Sequence, residues 1–409
     1  MRRLLLRAHP ERLAGRPLRS FPCWMRRTLR PMSLHRAGMS SRPARRIPSR
    51  WALCLALLLA MPVLAQAQPV LNIYNWADYI DPYAIERFQR ETGIRIRYDV
   101  YDTLETLEGK LSAGRSGYDI VVPTSEPAFN RLVRAGALRP LDMGRIPNAS
   151  NLDPALMARV AGVDPGNRHG VIYLWGTVGL GMNAARIREV APDAPMDSLQ
   201  LLLNPEHARR IARCGIAVMD SAIDVLPSVL RHVGADPNST AQADLDRAQQ
   251  ALLAIRPFLR SIPSPPAIID ALAQGEICLA FSYSGDVIQA AARAREARRA
   301  HEVTYVLPRE GAQLAFDMLA IPADAPNPDA AHAFINFVLQ PDVMAGITRQ
   351  TRYPNAVPAS RALLPPEIGN DASIFPDAAT LARSFVAGTP AQAGERARAR
   401  LWARFKAGR

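Results

Sequence analysis

Carboxylates set among large aromatic rings are the groups in this sequence that folding alone accounts for least. Trp76-Ala77-Asp78-Tyr79 places a carboxylate between two rings, directly after the apolar stretch ending in Ile73 and Tyr74. Tyr283 precedes Asp286 in ICLAFSYSGDV, residues 277–287. Asp317 interrupts Leu314-Ala315-Phe316-Asp317-Met318-Leu319-Ala320-Ile321, an otherwise apolar run that reads as a buried strand. An unpaired buried carboxylate is strongly destabilising. Asp317 therefore requires an arginine partner, a rich set of hydrogen-bond donors, or a cleft in which a ligand supplies the cation. Lysine is nearly absent, with Lys110 and Lys406 alone in the whole chain. Carboxylates with aromatics suit an organic cation, held by charge-assisted hydrogen bonds and cation–π contact.

The elements that position these residues alternate. LNIYNW reads as a strand, and Asp81-Pro82 as a helix start with Asp81 as N-cap, ended by Gly93. IRIRYDVY (94–101) alternates Ile94, Ile96, Tyr98 and Val100 against charged residues, as a half-buried strand does. Thr103 caps a helix that stops near Gly114. YDIVVP (118–123) is a short apolar strand, followed by a helix with Phe129, Leu132 and Val133 on one face. This order predicts an α/β fold with a parallel sheet covered by helices. GVIYLWGTVGLGMN (170–183) is an extended run interrupted by glycines, and 303–322 reads as a pair of strands. Helical segments close the chain, including 332–347, and the whole suggests two α/β units.

In open α/β sheets ligands bind beyond the carboxyl ends of the strands. That rule selects Trp76 to Tyr79, then Thr124, Ser125 and Glu126, then Tyr283 to Asp286. Each has a plainer role open to it. Asp78 serves as a turn residue, Asp286 as a cap for a helix starting at Val287, and Thr124 or Ser125 as an N-cap. Enzyme templates are missing: no GxGxxG or Walker sequence follows a strand, GxSxG is absent, and the histidines lack HExxH spacing. No catalytic residue, cofactor or metal site is predicted.

The formal charge of +13 does not imply nucleic acid. Residues 1–67 hold fourteen arginines and one acid, Glu11, which accounts for all of it and leaves 36 basic and 36 acidic residues beyond. WALCLALLLAMPVLAQA (51–67) is uncharged and ends in Ala65-Gln66-Ala67, the pattern of a secretory signal cleaved after Ala67. An uncleaved anchor and an organellar transit peptide are the other readings, and Met32 or Met39 are alternative starts. Export leaves Cys214 and Cys278 as the one cysteine pair, either bridged or two buried thiols.

Taken together, IYNWADYI, ETGIRIRYDVYDTLETLEGKLSAG, YDIVVPT, LAQGEICLAFSYSGDV and PREGAQLAFDMLAIPADA resemble the periplasmic polyamine-binding proteins of ABC transporters, the putrescine receptors above all. The likeness runs from about residue 70 to the C-terminus. It implies a type II periplasmic-binding fold, with two α/β lobes joined by crossing strands around a ligand cleft. By analogy, lobe 1 holds 68–175 and 303–347, and lobe 2 holds 176–302 and 348–409. The resemblance implies a periplasmic, monomeric receptor, not an enzyme, that passes a polyamine to an inner-membrane ABC permease. It implies that Asp286 and Asp317 meet ammonium groups, and that Asp78 and Asp224 set the polar ends. Trp76, Tyr79 and Tyr283 would enclose the methylenes, with Thr124 and Tyr353 as further contacts and Cys214–Cys278 as a disulfide. Departures fall in the pocket: Ala77 and Thr124 stand for serines, Asp224 for glutamate, Tyr283 for tryptophan, Ala315 for phenylalanine and Pro265 for serine. Those changes leave putrescine, spermidine and agmatine as candidate ligands, and a ligand-sensing subunit as a second role.

Overall fold

The computed structural model describes residues 69–409; the predicted signal segment and its cleavage after Ala67 lie outside them. Local signals in the first third act as the sequence predicts. The Asp81 side chain accepts from Tyr83 N at 3.0 Å to cap helix Pro82–Thr92, and Gly93 closes it in the left-handed region at φ 71°. Thr103 caps helix Leu104–Ser112 through Thr106 N at 3.2 Å.

Among the described residues nine strands form one sheet: β1 (Val70–Trp76), β2 (Arg95–Tyr101), β3 (Ile120–Val121), β4 (Gly170–Met182), β5 (Ile216–Val218), β6 (Leu279–Tyr283), β7 (Thr304–Val306), β8 (Gln313–Ala320) and β9 (Phe385–Val386). The main path runs β2-β1-β3-β8-β4-β6-β5, with β7 beside β4 and β9 beside β8. The predicted parallel pairing is found at the two ends, where β1 pairs β2 and β3 and β5 pairs β6, and where the short β9 joins β8. Along the main path the middle is antiparallel, because β4 and β8 run across it in opposite directions. The expected pair of strands in 303–322 is β7 and β8.

Two boundaries differ from expectation. The strand predicted over 118–123 narrows to Ile120–Val121. In β2 the inward alternation fails at its end: Val100 is exposed and Tyr101 is buried. Tyr101 has the better packing, with Tyr74 and Trp76 at ring-centroid distances of 4.8 and 4.5 Å and its hydroxyl donating to Val122 O at 2.6 Å.

Apolar residues collect in two main cores. One gathers Leu71, Ile73, Phe88, Ile120, Phe129, Ile172, Phe316 and Phe334, and the other Leu180, Ile187, Val218, Leu226, Ile268, Phe281 and Val287. Strand β4 passes from the first to the second between Trp175 and Val178, buried throughout, so its glycines do not break it. Val303 and Tyr305 lie in the second core, whereas Tyr353, Ala356 and Val357 lie in the first. Cys214 and Cys278 are bridged, with Cα atoms 5.5 Å apart, just ahead of the parallel neighbours β5 and β6. No described helix is long and apolar enough to cross a membrane.

Candidate functional site

A cavity of about 60 Å³ opens where the two cores meet, at the carboxyl ends of β1, β2 and β6. Its walls include Trp76, Ala77, Tyr79, Tyr101, Asp102, Thr124, Gly176, Tyr283, Asp286, Ala315, Asp317 and Tyr353, with Pro265, Pro266 and Ile269 on one side.

Asp317 comes to the cavity on β8. Its Oδ2 accepts from the Tyr79 hydroxyl at 2.7 Å and its Oδ1 from the Thr124 hydroxyl at 2.6 Å. Thr124 reaches it because the two residues form an isolated antiparallel bridge. The N-cap role open to Thr124 is accordingly not taken: its side chain caps nothing, its hydroxyl being engaged by Asp317. No arginine or lysine pairs with Asp317 among the described residues. Its burial pushes the carboxyl up to about 6, against the opposing hydrogen bonds from Thr124 and Tyr79. The Trp76 indole also favours the charged form of Asp317, yet it falls outside hydrogen-bond geometry and its Nε1 is buried without a partner.

Asp286 comes from the second core, in the first turn of helix Ser284–Glu296. That helix begins three residues before the expected Val287, so Asp286 is not its cap. Its Oδ1 accepts instead from the Tyr353 hydroxyl at 2.8 Å. Burial pushes this carboxyl up to about 7; the Tyr353 hydrogen bond opposes the rise and Asp78 adds to it. Two glycines admit the Tyr353 ring. A Cβ on Gly285 would lie 2.0 Å from it, and one on Gly176 would lie 2.9 Å from it. Tyr353 and Tyr79 meet edge to face at 4.9 Å, which links the two carboxylates through one hydroxyl-bearing aromatic pair.

Asp78 and Asp224 are placed differently from the other predicted residues. Asp78 is exposed, adopts φ 54°, and pairs with Arg293 Nη2 at 3.0 Å, outside the cavity wall. Arg293 also holds Asp270 at 3.0 Å, so the turn after β1 is tied to two helices of the second core. Asp224 stands behind Tyr283. It accepts from the Tyr283 and Ser221 hydroxyls, each at 2.5 Å, and from Gln313 Nε2 at 2.9 Å. Its oxygens are engaged by the protein, and its burial raises its pKa against those three donors. Asp224 thus orients the Tyr283 ring rather than facing the cavity.

Tyr101, Asp102, Gly176, Pro266 and Ile269 line the site without having been singled out from sequence. For Tyr101 and Asp102 the signal was available, since the strand-end rule that selects Trp76 applies equally to β2.

Buried carboxylates held only by neutral donors, among aromatic rings, have the chemistry to hold an organic cation. The match to the description "Bacterial extracellular solute-binding protein" extends over residues 83–376. The chain belongs to this family. Among its relatives, the putrescine-binding periplasmic protein SpuD of Pseudomonas aeruginosa is 41% identical over 360 residues, 87% of this chain and 98% of the relative. The putrescine-binding periplasmic protein PotF of Escherichia coli is 41% identical over 355 residues, 86% of this chain and 95% of the relative. A solved structure described as a putative spermidine/putrescine ABC transporter from Listeria monocytogenes superposes with a TM-score of 0.74 at 32% identity, covering 84% of this chain and all of the other. As a solute-binding protein, the chain has the crossing strands that the resemblance implied, and its bridged cysteines are those expected.

Proposed function

We propose that this solute-binding protein is a periplasmic receptor that captures a short aliphatic diamine, putrescine, and delivers it to an inner-membrane ABC permease. The carrying observation is the pair Asp286 and Asp317. Both are at most 9% exposed, both line one cavity, and each is held by hydroxyls alone. A diammonium ion supplies the two charges they lack, while Trp76, Tyr79, Tyr283 and Tyr353 cover the methylenes between. The names of the relatives from Pseudomonas aeruginosa and Escherichia coli point to the same ligand.

The two cores correspond in this reading to two lobes, one holding β1 to β3 with β8, the other holding β5 to β7. Asp317 belongs to an element of the first and Asp286 to an element of the second. A ligand bridging them favours the closed arrangement, because only differential affinity shifts a hinge equilibrium.

Isothermal titration of the purified protein with putrescine and with butylamine tests the reading. Putrescine binds, and the monoamine, lacking one ammonium, binds roughly 30-fold or more weakly. Equal affinities, or no binding of putrescine, overturn it.

A further inference from the structure

We infer that Asp102 is a third anionic anchor of the cavity and extends its ligands to linear triamines, an inference that rests on the amine reading above. The wall carries the carboxylates of Asp102, Asp286 and Asp317 and no lysine, arginine or histidine. A diammonium ion balances two of the three. Asp102 makes no side-chain hydrogen bond or ion pair among the described residues, whereas the exposed Asp78, outside the wall, is already paired with Arg293.

Its position follows from strand register. Trp76 and Tyr101 are parallel partners at the ends of β1 and β2. Asp102 is therefore level with Ala77, whose methyl is a small wall with no hydrogen-bonding group, and both line the cavity. Asp286 and Asp317 are buried and Asp102 is exposed, which puts it at the open end. The Trp76 and Tyr101 rings, 4.5 Å apart, supply an apolar face beside it for methylenes and for cation–π contact. An amine chain anchored on the two buried carboxylates and continuing past Trp76 meets Asp102 with its next positive centre.

Titration of the wild-type protein and of Asp102→Asn with putrescine and with spermidine, at one fixed physiological salt concentration, tests this. Spermidine is expected to bind the wild type and to lose about fivefold in affinity in the variant, the size of an exposed ion pair. Putrescine is expected to lose less affinity than spermidine does, and thermal melting of the ligand-free variant reports that it is folded. Equal losses for both amines mean general attraction only and overturn the inference, as does an unchanged spermidine affinity or a wild type that rejects spermidine. If the wild type binds putrescine in any of these cases, the diamine reading stands. Failure of putrescine itself overturns both.

Discussion

The Tyr79 hydroxyl donates a 2.7 Å hydrogen bond to Asp317 Oδ2, joining the turn after β1 to the crossing strand β8 across 238 positions of sequence. Thr124 occupies the other oxygen. The two donors orient the carboxylate without neutralising it, which in the proposed reading leaves its charge for the ligand.

Asp317→Asn removes that charge while keeping the shape. Diamine affinity is expected to fall by about 2–5 kcal/mol, the cost of losing one partner of a desolvated charged pair. The ligand-free protein should not lose stability, since a buried uncompensated charge has gone. Calorimetry and thermal melting on one preparation check both halves, and unchanged affinity refutes the role of Asp317.

Acidity should weaken binding. The Asp286 and Asp317 carboxyls stand near 7 and 6 in the ligand-free protein, raised above the ordinary range by burial. A diammonium ligand favours their charged forms, so binding between about pH 5 and 7 releases protons and affinity falls as pH drops through that window. For folding the sign is opposite. The folded, ligand-free protein holds more protons at these two sites than the unfolded chain, so their contribution to stability is favourable at low pH and is lost as pH rises through 6 and 7. Titrations near pH 6.5 in buffers of different ionisation enthalpy measure the proton release. Its absence refutes the coupling.

Tyr283→Phe separates a ring from its hydroxyl. The hydroxyl serves Asp224, at 2.5 Å, and the ring serves the cavity. Stability is expected to fall by about 1–3 kcal/mol as a buried carboxylate loses a donor, with diamine affinity within about threefold of wild type. A large affinity loss without a stability loss would show instead that the hydroxyl meets the ligand.

Replacing Cys214 and Cys278 with serine opens a link between positions 64 apart. The chain-entropy account puts the loss at up to roughly 4 kcal/mol, read as a lower urea midpoint. Because the bridge precedes β6 and the cavity lies beyond its far end, diamine affinity should stay within about twofold.

Strand and helix signals were legible wherever they are local. Asp81, Gly93 and Thr103 act through neighbours two to four residues away, and they cap and end their helices as predicted. The predictions that failed depended on distant partners. Thr124 has the chemistry of an N-cap, but its hydroxyl goes to Asp317, and Asp286 falls inside a helix that starts at Ser284, where it accepts from Tyr353. Val100 fits the inward alternation of β2, yet the aromatic packing around Tyr101 reverses it.

By itself the sequence determined the inventory of this solute-binding protein: its alternating elements, the cysteines Cys214 and Cys278, and an aspartate in an apolar strand that had to be compensated. It also narrowed that compensation to an arginine, a set of donors or a ligand. Only the tertiary structure decided among them, since Tyr79 and Thr124 reach Asp317 through a sheet whose middle strands run antiparallel. It also set Asp78 against Arg293 and Asp224 behind Tyr283, and brought Asp102 to the cavity wall. The physical reason is range: caps and turns are fixed by the adjacent backbone, whereas the environment of a carboxylate is fixed by whatever the fold packs against it.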